Sequence, residues 1–180
     1  MSDEVVVREC DIFTIEQLNY IFRHIFDIEN ERRWGNSKHM WNPSLTKNSI
    51  GTVSTFLIKG DTENMIKNIL CKFLKPGEFF HNIQYFEWNN LSQINWHPDN
   101  NKGSITIYLN EDWDPNWGGF FCWKERDTEK GYMYVPKFNT ALVVRGNPPH
   151  HVSLISPFAP IRKTLQIWIT DSAQLTTIEE

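Results

Sequence analysis

The sequence predicts a mainly β protein in which N-terminal helices precede an antiparallel sandwich or jelly roll. Two helical periodicities occur in the first part of the chain, and from Glu78 onward short aromatic and β-branched runs alternate with turn residues. At 180 residues the chain has the length of one domain, and its eight Trp and twelve Phe suit packed sheets. We therefore expect a single domain over residues 1–180, helical over about 1–77 and a jelly-roll core over about 78–172.

Two helices are expected before the sheet. A capping box followed by apolar residues at helical spacing predicts the first helix over residues 14–28. The second begins near residue 61, carries one apolar face and ends at Pro76-Gly77. Between them, residues 29–51 are rich in Asn, Ser and Lys without a clear period, so we predict a long loop that could cover part of the molecule.

Eight short strands are predicted in the second part of the chain. Clusters of Asn, Asp, Gly and Pro separate them, as expected for the turns of an antiparallel fold. The strands are expected at residues 82–88, 93–99, 104–109, 119–123, 131–135, 139–145, 149–155 and 163–170.

Composition indicates which kinds of binding partner and which cellular compartment to expect. The net charge is −4 and no dense Lys/Arg cluster is present, which argues against a nucleic-acid partner. Cys10, Cys71 and Cys122 form no CxxC pair and indicate reduced thiols. No apolar signal region and no run of 18 apolar residues occur, so we expect a cytoplasmic protein that does not bind membranes.

The segment His97-Pro98-Asp99 places two metal-ligand residue types two positions apart. In a strand both side chains project from one face, with Trp96 and Pro98 on the other. Two imidazoles and a carboxylate form the facial triad of non-haem Fe(II) oxygenases. A His-x-Asp match also arises by chance in a chain with 22 acidic residues and six histidines, and a strand histidine that hydrogen-bonds a neighbour would explain it.

The order of the segments after this pair is more informative. They are Ile107-Tyr108-Leu109-Asn110, an acidic turn over residues 111–117, Gly118-Gly119-Phe120-Phe121-Cys122-Trp123, Pro149-His150-His151-Val152 and Arg162-Lys163-Thr164-Leu165-Gln166-Ile167-Trp168-Ile169. Over residues 85–170 the series resembles the 2-oxoglutarate and Fe(II)-dependent dioxygenases, in particular their prolyl 4-hydroxylase-like branch. The resemblance implies a double-stranded β-helix, a cupin-like jelly roll, braced by two or more α-helices.

The resemblance also implies the metal ligands. His97 and Asp99 correspond to the first two, and the histidine of a His-x-Val pattern is the third. This favours His150, because Val152 follows two positions later, and it leaves His151 on the opposite strand face.

Two further residues are implied to bind the cosubstrate. Arg162 corresponds to the basic residue that holds the distal carboxylate of 2-oxoglutarate, for which a planar guanidinium is well suited. Tyr108 corresponds to a tyrosine that touches the same carboxylate. A solvated arginine and a core tyrosine are the alternatives. The interval from His150 to Arg162 is longer than the family usually has, with residues 156–160 as the insertion.

The implied activity is hydroxylation of an unactivated C–H, with release of succinate and CO₂. The expected cofactors are Fe(II), 2-oxoglutarate and O₂, with ascorbate as a further candidate. The expected substrate is a prolyl residue in a protein or peptide, or free proline or a similar small molecule. The alternatives are an oxidative nucleic-acid demethylase, a catalytically silent jelly-roll binding module and a zinc hydrolase. The sequence leaves the oligomeric state open.

Overall fold

The structure is a computed structural model that describes residues 6–30, 35 and 36, 42–125, 128 and 130–171. Its helices are α1 (Ile15–Asn30), α2 (Pro43–Thr46) and α3 (Gly60–Leu70). Its strands are β1 (Val6–Cys10), β2 (Gly35–Asn36), β3 (Val53–Leu57), β4 (Glu78–Trp88), β5 (Ile94–His97), β6 (Gly103–Tyr108), β7 (Phe121–Lys124), β8 (Gly131–Tyr134), β9 (Thr140–Arg145), β10 (His150–Val152) and β11 (Arg162–Asp171).

The capping box forms at the start of α1. The backbone N–H of Thr14 donates to Gln17 Oε1 at 2.8 Å, and the N–H of Gln17 donates to Thr14 Oγ1 at 3.3 Å. These bonds satisfy donors that the first helical turn would otherwise leave unpaired. The second predicted helix is α3, which tightens into a 3₁₀ turn over Cys71–Phe73 before the chain reaches Pro76. Within the described part of the chain, no helix is both long and apolar enough to cross a membrane.

The strands form two antiparallel sheets, which confirms the predicted jelly-roll class. The large sheet has the order β1-β9-β6-β11-β4-β3-β2, and the small sheet has the order β5-β10-β7-β8. All eight predicted strands are present, as β4 to β11. Consecutive strands repeatedly cross between the two sheets, as they do in jelly rolls.

The large sheet packs its outer face against the helices. Side chains of α1, α3 and alternate positions of the central strands form one core cluster, whose most deeply buried members include Ile21, Ile66, Ile105, Leu165 and Ile167. A strand has a side-chain period of two, so the intervening residues point to the other face, toward the small sheet. The helices therefore brace one face and leave the second face to enclose a cavity.

The N-terminal part also contributes strands that the sequence did not predict. β1 pairs with β9, and β3 pairs with β4, so both extend the large sheet. The predicted loop over residues 29–51 contains α2, while residues 31–34 and 37–41 of that loop lie outside the described residues.

Asn139 joins the turn before β9 to the turn between β1 and α1. Its backbone has a φ of 51°, in the left-handed region that Asn tolerates better than most residues. Its Oδ1 accepts from the Phe13 N–H at 3.0 Å, and its Nδ2 donates to the Phe13 carbonyl at 2.8 Å. Both bonds are buried, so the side chain satisfies a backbone donor and acceptor that water does not reach.

We expect Asn139→Ala to lower the free energy of unfolding by about 2–4 kcal/mol, because it leaves two buried backbone groups unpaired and strains a left-handed residue. Urea denaturation measures this change. Asn139→Gly is the matched control, since it loses the same bonds without the strain and is expected to be less destabilised. A loss below about 0.5 kcal/mol, the usual range of surface substitutions, would contradict this role for Asn139.

Candidate active site

The two faces of β11 connect the core to the candidate site. Leu165, Ile167 and Ile169 are fully buried in the core against the helices. The alternate residues, Arg162, Thr164, Gln166 and Trp168, line a cavity on the opposite face. The register that buries the apolar set therefore also fixes the row of cavity residues.

The cavity lies between the two sheets and has a volume of about 460 Å³. This volume is in the range of small-molecule sites. Its wall is mixed, with aromatic and aliphatic side chains beside a few polar groups. The lining residues are Asn42, Leu45, Phe86, Trp88, Ile94, His97, Pro98, Asp99, Asn100, Ser104, Thr106, Phe121, His150, Val152, Arg162, Thr164, Gln166 and Trp168.

A β-bulge sets the position of the first histidine. β10 pairs with β5 so that His150 lies opposite His97 but Val152 lies opposite Ile94, which leaves one extra residue on β5. Ile94 and His97 consequently both face the cavity although they are three positions apart. Trp96, beside His97, stays 49% exposed.

Asp99 lies beyond the strand. β5 ends at His97, so the prediction of a strand over residues 93–99 was too long, and Asp99 belongs to the loop between β5 and β6. Pro98 also lines the cavity, contrary to the expectation that it faces away, because regular alternation stops where the strand ends.

Three side chains meet at one point of the cavity wall. Asp99 Oδ1 lies 3.6 Å from His97 Nε2, and Asp99 Oδ2 lies 3.8 Å from His150 Nε2. One ligand atom from each of the three residues lies within 4.8 Å of the others, so the group could hold a metal ion. The structure thus brings together the three residues that the sequence analysis selected as ligands.

The backbone orients both imidazoles. His97 Nδ1 lies 2.7 Å from the Asn95 carbonyl, and His150 Nδ1 lies 2.9 Å from the Pro148 carbonyl. A carbonyl only accepts, so each Nδ1 donates a proton to its carbonyl and each Nε2 faces Asp99 and the cavity. Such bonds to the second ring nitrogen typically fix the tautomer and orientation of histidine ligands.

Burial affects the protonation of His150. Removal from water lowers its pKa, an effect that the charge of Asp99 opposes. The ring of Phe121 stacks on that of His150 at a centroid distance of 5.2 Å and shields it from solvent. The imidazole is therefore neutral at pH 7, the state in which histidine binds metals.

His151 points to the other face of the small sheet. Its ring contacts Trp96 at a centroid distance of 4.3 Å and lines a separate groove with Asn48 and Asn95. It does not belong to the group of three ligand residues found in the described part of the chain.

Arg162 is a buried cation. Its residue is 2% exposed, and its guanidinium carbon lies 5.1 Å from the ring centroid of Trp88 and 5.3 Å from that of Tyr108. Nε has no hydrogen-bond partner, and no described carboxylate lies within ion-pair distance. Burial lowers the pKa of Arg162, but arginine remains charged at neutral pH. A buried charge without a partner is costly, so the site is suited to an incoming anion.

Tyr108 contacts Arg162 but does not itself line the cavity. It is 1% exposed, its hydroxyl has no hydrogen-bond partner in the described structure, and burial raises its pKa. Its ring also packs against that of Tyr134 at 5.6 Å. The hydroxyl therefore stays protonated and can donate.

A double glycine makes room for the arginine. Gly118 and Gly119 have φ values of 69° and 66°, which L side chains rarely adopt. A Cβ at Gly119 would lie 3.0 Å from Arg162 Cδ and 3.2 Å from Ile155 Cγ1. At Gly118 it would lie 2.1 Å from the Leu154 carbonyl oxygen. These glycines allow close packing under the arginine side chain.

Sequence reasoning missed the polar wall of the cavity. Ser104 and Thr106 on β6 and Thr164 and Gln166 on β11 line it together. Thr106 Oγ1 donates to Gln166 Oε1 at 2.6 Å. The signal that could have revealed them is a period-two recurrence of polar residues in strands whose alternate residues are apolar, which marks a second, polar face.

Comparisons with known proteins identify the family. The model of the 2OG-Fe(II) oxygenase superfamily matches residues 81–170, half of the chain. The chain belongs to this superfamily, whose members use Fe(II) and 2-oxoglutarate. A search of curated proteins by sequence finds no significant match.

Solved structures share the fold. A Pseudomonas putida prolyl-4-hydroxylase matches with a TM-score of 0.72 at 15% identity, over 93% of this chain and 94% of that one. A prolyl hydroxylase from Trichoplax adhaerens, in complex with a hypoxia inducible factor peptide fragment, matches with a TM-score of 0.73 at 13% identity, over 96% and 86%. HygX from Streptomyces hygroscopicus, with nickel, 2-oxoglutarate and hygromycin B bound, matches with a TM-score of 0.63 at 8% identity, over 93% and 83%. These likenesses show that the chain shares the fold of these enzymes.

We expect Gly119→Ala to weaken binding of 2-oxoglutarate about ten-fold or more. The added methyl group must displace Arg162, the one arginine or lysine among the described lining residues, and each tenfold change corresponds to about 1.4 kcal/mol. Anaerobic calorimetric titration with Fe(II) present measures the dissociation constant.

Gly60→Ala is the matched control for backbone strain. Gly60 has a φ of 68°, close to that of Gly119, but a Cβ there meets no atom within 4 Å. We expect this variant to lose some stability and to keep its affinity for 2-oxoglutarate. Equal affinity in both variants and the unmodified protein would show that Gly119 does not position Arg162.

Proposed function

We propose that the protein is a dioxygenase that holds Fe(II) with His97, Asp99 and His150 and binds 2-oxoglutarate with Arg162 and Tyr108. The observation that carries the proposal is the convergence of two Nε2 atoms and a carboxylate on one point of a cavity that also contains a buried guanidinium without a described carboxylate partner.

The three ligand residues fit Fe(II). Two neutral imidazoles and one carboxylate are the donor set of the facial triad, which leaves other coordination positions for the cosubstrate and O₂. The carbonyls behind both Nδ1 atoms hold the rings in position before a metal arrives. The Asp99 side chain is 23% exposed and lies between the two imidazoles, where a bound metal ion would balance the charge of its carboxylate.

The arginine fits one carboxylate of 2-oxoglutarate. Its guanidinium can donate two parallel hydrogen bonds to a carboxylate, and the unpartnered Tyr108 hydroxyl beside it can donate a third. This pairing explains why a cation is buried where no described side chain neutralises it. A zinc hydrolase would use the same three ligands but would leave Arg162 without a role.

When bound, Fe(II) with 2-oxoglutarate and O₂ supplies the oxidising power for hydroxylation of a C–H bond, with succinate and CO₂ as products. The residues of the chain hold and orient these groups. Phe121 stacks on His150, and the rings of Trp88 and Tyr108 contact the Arg162 guanidinium, so these aromatic side chains keep water from His150 and Arg162. Ascorbate and a cytoplasmic location stay predictions.

The proposed substrate is a prolyl residue in a protein or peptide, or a proline-like small molecule. Support comes from the fold neighbours, which include a prolyl-4-hydroxylase, a prolyl hydroxylase with a peptide bound and an enzyme with the small molecule hygromycin B bound. A nucleic-acid substrate is disfavoured, because the net charge is −4 and Arg162 is the one arginine or lysine among the described lining residues.

Reconstitution with Fe(II), 2-oxoglutarate and O₂ tests the ligand assignment. We expect the protein to release succinate slowly even without a prime substrate. His97→Ala, Asp99→Ala and His150→Ala should each abolish this release, because each removes a ligand. His151→Ala is the matched control, since its side chain lies in the other groove, and it should retain the release. Loss in His151→Ala with retention in His150→Ala would contradict the assignment.

Arg162→Ala should raise the dissociation constant for 2-oxoglutarate. Removal of one partner of a buried charge pair costs about 2–5 kcal/mol, or roughly 30-fold to several thousand-fold in affinity. Arg162→Lys keeps the charge but loses the planar fork, so we expect an intermediate loss. Anaerobic titration measures both variants. An unchanged constant in Arg162→Ala would remove this residue from the cosubstrate site.

A further inference from the structure

We infer that Gln166, held by Thr106, recognises the prime substrate by donating its side-chain amide N–H to an uncharged carbonyl of that molecule. The inference rests on the proposed function, because it assigns the Arg162 end of the cavity to 2-oxoglutarate. It concerns the opposite part of the same cavity wall.

The hydrogen bond from Thr106 determines which end of the amide is available. Thr106 Oγ1 donates to Gln166 Oε1 at 2.6 Å, and the two residues are Cα partners in the pairing of β6 with β11. The carbonyl end of the glutamine is therefore occupied by a neighbour within the sheet. In the described structure, Gln166 Nε2 has no hydrogen-bond partner. Gln166 itself lines the cavity. Gln166 thus offers a donor.

Gln166 lies further along β11 than the guanidinium. The guanidinium contacts Trp88 and Tyr108, whose Cα partners on β11 are Arg162 and Thr164, so it lies beside the first part of the strand. Gln166 is the next residue after Thr164 on the same face, about 7 Å further along the strand. We therefore assign Gln166 to the prime substrate, and titration of Gln166→Leu with 2-oxoglutarate tests this assignment directly.

The surroundings of Gln166 favour an uncharged acceptor. Its neighbours along the wall are neutral: Ser104 and Thr106 on one side, and Phe86 with Trp168, whose rings lie 6.4 Å apart, on the other. A carboxylate placed here would be removed from water without a nearby cation among these residues, which is unfavourable. An amide carbonyl needs one donor and no counter-charge. An acylated, uncharged group is therefore the better fit than a zwitterionic amino acid.

The test compares two probes, N-acetyl-L-prolinamide and free L-proline, in Fe(II)-dependent turnover of 2-oxoglutarate. We expect the acylated amide to stimulate succinate release with a kcat/KM about tenfold or more above that of L-proline. In Gln166→Leu, kcat/KM for the amide should fall about tenfold or more, through its KM. Gln166→Glu should lose more, because it presents an acceptor to an acceptor.

Thr106 provides a second variant and Thr55 a matched control. Thr106→Val should weaken use of the amide because Gln166 loses its fixed orientation, and Thr106→Ser should restore it. Thr55→Val removes another buried threonine hydroxyl of the large sheet, which donates to the Tyr85 carbonyl at 2.9 Å and lies 3.4 Å from Gln84 Oε1, and none of these residues lines the cavity. This control is expected to keep the KM for the amide even if it is less stable.

Several results would overturn the inference. One is equal stimulation of the unmodified protein by both probes, or no stimulation by the amide. Another is an unchanged KM for the amide in Gln166→Leu. A third is a rise in the dissociation constant for 2-oxoglutarate in Gln166→Leu as large as in Arg162→Ala, which would assign Gln166 to the cosubstrate. No succinate from the unmodified protein under any condition would instead contradict the proposed function itself, and the inference with it.

Discussion

The burial of a guanidinium without a counter-charge is the constraint on which the site depends. Arg162 is 2% exposed, and aromatic rings and a glycine surround it. Its place follows from its position as the first residue of β11, opposite Trp88 on β4. A protein of marginal stability does not readily keep an unpaired buried charge, so the arrangement is best explained by an anion that binds there. Family membership and cavity size both fit 2-oxoglutarate as that anion.

Strand β11 contributes both to the hydrophobic core and to the wall of the candidate site. The apolar residues of β11 are part of the core behind the sheet, and its polar residues form the cavity wall. A slip of one residue would exchange the two sets, so burial of the apolar set in the core also keeps the polar set facing the cavity. In the small sheet, the bulge in β5 directs the His97 side chain into the cavity. The core thus positions the proposed site residues, which contribute little to the core itself.

The sequence predicted much of the fold and the components of the site but not their detailed geometry. Turn residues and period-two patterns found all eight later strands, whereas β1 and β3 escaped because they pair with distant strands and lack clear alternation. The bulge in β5 was invisible, since an extra residue in a strand leaves no mark in a short sequence. The strand was also predicted to include Asp99, which lies in the loop after β5.

For the site residues, too, the sequence predicted which residues take part but not how they are held in place. The residue types and order pointed to His97, Asp99, His150 and Arg162, and the structure brings these side chains to one cavity. The backbone carbonyls that fix the imidazoles and the space that Gly119 leaves for Arg162 depend on contacts between distant segments, which no local pattern encodes. The polar alternation that includes Gln166 was present in the sequence.

The most direct test of the central claim is an anaerobic crystal structure of the protein with Fe(II) and 2-oxoglutarate, with the metal located by anomalous scattering. The account predicts one iron bound by Nε2 of His97, Nε2 of His150 and the carboxylate of Asp99. It also predicts one carboxylate of 2-oxoglutarate on the Arg162 guanidinium. Iron bound elsewhere, or a cosubstrate that leaves Arg162 unpaired, would contradict it.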